Sequence, residues 1–75
     1  MARITPIRWR RLVRVFIQVG WEEDHTTGDH IVLVKVGYAR PVVIPKYSAI
    51  DTFIILNNLK TAGISRTEYF KLLKG

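Results

Sequence analysis

The 75-residue sequence contains no cysteine. No disulfide can brace it, and no thiolate can ligate zinc. Histidine is scarce too: His25 and His30 are the only two, beside six scattered carboxylates, too thin a supply for a metal cluster. A site built from His25, Asp29 and His30 matches no common ligand spacing. No apolar run is long enough to span a membrane. The opening residues Met1-Ala2-Arg3-Ile4-Thr5-Pro6 carry no apolar signal core, which favours the cytoplasm. Repeats, linkers and low-complexity tracts are also missing, so residues 1–75 read as one small domain. A chain this short buries little core and is marginally stable alone.

What is abundant is positive charge. Twelve Lys and Arg against six Asp and Glu give a net charge of +6. That field favours a polyanion, RNA, DNA or an acidic protein, although ordinary solubility also accounts for it. Five of the seven arginines fall within the first fourteen residues.

Thr5-Pro6 predicts a helix start, a cap followed by proline at the first helical position. Trp9, Leu12, Val13, Phe16 and Val19 recur at helical spacing, and Gly20 supplies a stop. Arg8, Arg10, Arg11 and Arg14 supply that helix's basic character, a surface for phosphates or an acidic partner, or simply a solvated face. Three antiparallel strands follow: a weak one over Trp21–His25, a strong β-branched one over His30–Val36, and one over Arg40–Ile44. Pro41 suits an edge or the start of a strand. A second helix is predicted over Ile50–Ala62, stopped by Gly63. Ser65 to Glu68 fits a capping box that opens a short last helix carrying Tyr69, Phe70, Leu72 and Leu73. One three-stranded antiparallel sheet covered by helices is the economical α+β arrangement.

The Gly28-Asp29-His30 step delivers a histidine from a glycine turn onto a strand edge. Histidine suits proton transfer near neutral pH, although a strand-edge histidine can also be merely exposed. His25 stands beside Glu22-Glu23-Asp24, an acidic run that repels a phosphate backbone. Lys35, Arg40 and Lys46 add cations near the strands, and Tyr38 and Tyr47 offer rings to unstacked bases or to packing. On the second helix, Ile55, Leu56, Leu59 and Ala62 form one stripe, with Ile50, Phe53 and Ile54 roughly opposite. An outward apolar face, with strands apolar on both sides (Ile31–Val34 and Val42–Ile44), implies a partner chain or self-association. A shifted helix start that puts Phe53 in the core is the alternative.

Four pieces in order resemble the HicA toxins of bacterial and archaeal toxin–antitoxin pairs. They are Val19-Gly20-Trp21, Gly28-Asp29-His30, Val43-Ile44-Pro45, and Leu59-Lys60-Thr61-Ala62-Gly63-Ile64-Ser65 leading to Glu68-Tyr69-Phe70. The resemblance implies a fold similar to double-stranded-RNA-binding domains, α-β-β-β-α. It implies a cofactor-free endonuclease that cuts mRNA and is silenced by a HicB-like antitoxin. It places the catalytic histidine at His30, with Gly28 and Asp29 in its supporting loop. Arg8, Arg10, Arg11, Arg14, Lys35, Arg40 and Lys46 become the expected RNA contacts, and Ile50, Phe53 and Ile54 the expected partner contacts. Many members have Gly-Ser-His where this chain has Gly-Asp-His, and a more basic stretch where it has Lys46 to Ile54. A non-catalytic RNA-binding module or a protein-interaction domain would use the same fold.

Overall fold

The computed structural model describes residues 3–75; Met1 and Ala2, part of the stretch read for a targeting signal, lie outside the described residues. The order is α1 (Trp9–Ile17), β1 (Glu22–Thr27), β2 (His30–Val34), β3 (Val42–Pro45), α2 (Thr52–Ala62) and α3 (Arg66–Lys74). This is the α-β-β-β-α arrangement expected, followed by the short last helix that the Ser65 to Glu68 pattern predicts.

The first helix starts later than Thr5-Pro6 predicts. Arg8 is its N-cap and contributes no side-chain cap bond. Ile7 instead forms a bridge with Ile50, whose N–H donates to the Ile7 carbonyl at 2.8 Å. Both isoleucines are buried. Burying two such side chains is worth roughly 1.5–3 kcal/mol each, against about 1 kcal/mol for a cap. Tertiary burial therefore overrides the local start signal. At the far end Gly20, with φ +97°, reverses the chain, and the Trp21 N–H returns to the Phe16 carbonyl at 3.1 Å.

The sheet is antiparallel with order β1-β2-β3. A two-residue turn joins Thr27 to His30. Gly28 has φ +54° while no other residue type has positive φ among the described residues, which fits a II′ turn with glycine first. Asp24 is an extra residue between the Glu23–Leu33 and His25–Val32 pairs, a bulge in β1. Ile31 and Leu33 of β2 and Val42 and Ile44 of β3 point inward and are buried. Val34 and Val43, by strand alternation, sit on the open face, 37% and 41% exposed. The doubly apolar strands thus bury one face and leave a valine strip on the other.

Asp51 caps α2 by accepting from the Phe53 N–H at 2.8 Å, so the helix begins after Ile50. Ser65 caps α3 through the Glu68 N–H at 3.1 Å, as its pattern predicts. The core joins Leu12, Val15 and Phe16 of α1 to the inner sheet face, Ile55 and Leu59 of α2, and Tyr69 of α3. Gln18 ties α1 to the end of α3, its amide donating to the Leu72 carbonyl at 2.8 Å. None of the described helices is long and apolar enough to cross a membrane.

Candidate active site

His30 is the first residue of β2 and is exposed. It faces Thr27 across the turn and Pro45 across the other ladder. Ile31 and Leu33 point into the core, so alternation turns His30 to the open face of the sheet. The turn that carries it is fixed from outside: the Lys46 N–H donates to the Asp29 carbonyl at 2.6 Å. Lys46 also places its ammonium 5.4 Å from the centre of the Trp9 ring. The Arg10 guanidinium lies 5.0 Å from the same ring, and the Trp9 N–H donates to the Tyr47 carbonyl at 3.1 Å. A continuous chain of contacts therefore runs from the His30 turn through Lys46 and Trp9 to Arg10. The start of α1 adds a positive dipole end, with no acidic residue in its first turn and Arg8 exposed at its cap.

Among the described residues the only close side-chain contact between a carboxylate and a basic residue is a hydrogen bond of 2.6 Å between His25 Nδ1 and Asp24. None of their arginines or lysines is committed to a carboxylate, so the exposed cations are available to phosphate. His25 and His30 share a sheet face as diagonal neighbours, a relation that typically spans about 7–8 Å. The bond to Asp24 turns His25 toward the bulge. No group of three or more metal-ligating residues forms among the described residues.

The predicted RNA contacts do not form one patch. Arg10 and Lys46 share the Trp9 ring, Lys46 is tied to the His30 turn, and Arg8 caps the same end of α1. Arg11 faces α3, where its field acts on the Tyr69 hydroxyl. Arg14 is exposed in the last turn of α1. Lys35 is half-buried and donates to the Val19 carbonyl at 2.6 Å, with Tyr38 beside it, so it anchors the end of α1 instead of standing free. Arg40 lies beyond the opposite end of β3, beside Asn57, Lys60 and Thr61. Those three were missed in the sequence, although their i, i+3, i+4 spacing puts them on one helical face.

The expected partner stripe needs correction. Ile50 is fully buried, because its bridge to Ile7 draws it into the core instead of onto an outward face. Ile54 packs half-buried against the core. Phe53 does project outward, 69% exposed, and Leu56, assigned to the core stripe, is 38% exposed one turn on. Asn58 takes Leu56's expected place inside.

The family model described as HicA toxin of bacterial toxin-antitoxin matches residues 9–64, from the start of α1 through the end of α2. No curated protein matches the chain. The match takes in the His30 turn, all three strands and both helices that flank them, and the chain belongs to the HicA toxin family of bacterial toxin–antitoxin systems.

Proposed function

We propose that the protein is an endoribonuclease that cuts mRNA without a metal ion, with His30 moving the proton. The 2′-hydroxyl attacks the adjacent phosphorus, its proton leaves, and the bond to the 5′-oxygen breaks as that oxygen gains a proton. His30 supplies one of these two transfers. Lys46, Arg10 and Arg8 hold the phosphates and offset the added charge of the phosphorane. Gly28 and Asp29 set the turn that presents His30.

The observation that carries this reading is the exposed His30 on a turn whose Asp29 carbonyl is tied to Lys46, itself beside Trp9 and Arg10. The partner is a HicB-like antitoxin, for which exposed Phe53 and Leu56 provide an apolar contact on α2. RNA incubated with the purified chain in chelator tests the assignment. Cleavage that persists in chelator and disappears in His30→Ala supports it. Full activity in the variant removes His30 from the mechanism, and RNA binding without cleavage reduces the protein to a binding module.

A further inference from the structure

An open cleft of about 530 Å³ lies between the loop before β3 and the C-terminal half of α2, lined by Arg40, Asn57, Lys60 and Thr61. We propose that this cleft is a second RNA-binding site that grips the phosphates of the strand cut at His30, an inference that rests on the RNA-cleaving reading above. Its lining residues are all polar, and two of them are cations. Neither Arg40 nor Lys60 has a carboxylate partner among the described residues. The Thr61 hydroxyl is spent on the Asn57 backbone carbonyl at 3.1 Å, whereas the exposed Asn57 side chain makes no hydrogen bond among the described residues.

The topology sets this site apart from His30. His30 pairs with Pro45 at the end of β3, whereas Arg40 precedes its first residue, Val42. Five residue steps at about 3.3 Å each span roughly 16 Å along β3. His30 faces the open side of the sheet and α2 covers the other, so one RNA strand reaches both by passing round β3, which is an edge strand. The absence of an apolar side chain in the lining favours RNA over a protein segment. Protein contacts are built around apolar anchors, whereas nucleic acid is held by cations and hydrogen-bond donors on phosphate.

The test uses the His30→Ala chain, which leaves RNA intact, with a labelled single-stranded 12-mer titrated over a range of salt. Adding Arg40→Gln and Lys60→Gln is expected to weaken binding several-fold at low salt. It should also flatten the plot of log affinity against log salt by about 0.7 for each phosphate that is no longer neutralised. Both positions are exposed, so thermal unfolding of the variant should match its parent. Unchanged affinity and slope, while Arg10→Gln and Lys46→Gln weaken binding, overturn the cleft and leave the His30 reading standing. A His30→Ala chain that does not bind RNA at all overturns both. Poly-glutamate that perturbs the Asn57, Lys60 and Thr61 amides, where RNA does not, overturns the assignment in favour of an acidic protein partner.

Discussion

His30 and Gly28 divide the work of the turn between chemistry and backbone shape. Removing a positioned proton-transfer group typically costs about 10²–10⁴-fold in rate. His30→Ala should therefore lose cleavage by that factor in single-turnover assays and keep RNA affinity within about twofold, since its cationic neighbours remain. Gly28 has φ +54°, and a Cβ there meets nothing within 4 Å. The cost of Gly28→Ala is thus backbone strain alone, about 1–3 kcal/mol in denaturant unfolding. The histidine was legible in the sequence because glycine and aspartate stand directly before it. Its surroundings were not. Lys46 and Trp9 reach the turn only through chain reversals that local patterns do not specify.

Among the elements, α2 shows where periodicity misleads. The helical wheel placed Ile50 with Phe53, yet Asp51 caps the helix and leaves Ile50 in an extended bridge to Ile7. Ile50→Ala should then cost about 2–5 kcal/mol, as for a fully buried side chain. Phe53→Ala should stay within about 0.5 kcal/mol in the isolated chain, because its ring is mostly exposed. Equal losses at both positions in urea unfolding would restore the wheel. The strands, by contrast, were legible in number, order and near-boundaries, since β-branched runs between glycine turns admit few alternatives. Beyond the sequence's reach was the length of β1. It continues through Thr27 with all six residues exposed, held by its ladder to β2 instead of by burial.

At the scale of the whole molecule, α3 completes a core too small without it. The family match ends at residue 64, yet Tyr69 beyond it is 1% exposed within the core cluster, and Phe70, Leu72 and Leu73 pack against its edge. Small chains have little stability in reserve, so ending the chain at Gly63 should abolish cooperative unfolding by circular dichroism. Tyr69 also gives this seam a pH dependence. Burial pushes its hydroxyl pKa up, and the Arg11 charge only partly opposes that. The folded protein therefore holds the proton to higher pH than the unfolded chain does. The associated stability is complete below the ordinary tyrosine value of about 10 and is lost as pH rises through the higher folded value. The same hydroxyl is buried without a hydrogen-bond partner. Tyr69→Phe keeps the ring and removes the unsatisfied group. At pH 7 it should match the parent chain or exceed it by up to about 1–3 kcal/mol, and its alkaline loss of stability should be shallower. A variant clearly less stable at pH 7, with the alkaline decline unchanged, would mean that the hydroxyl is satisfied and that another group titrates.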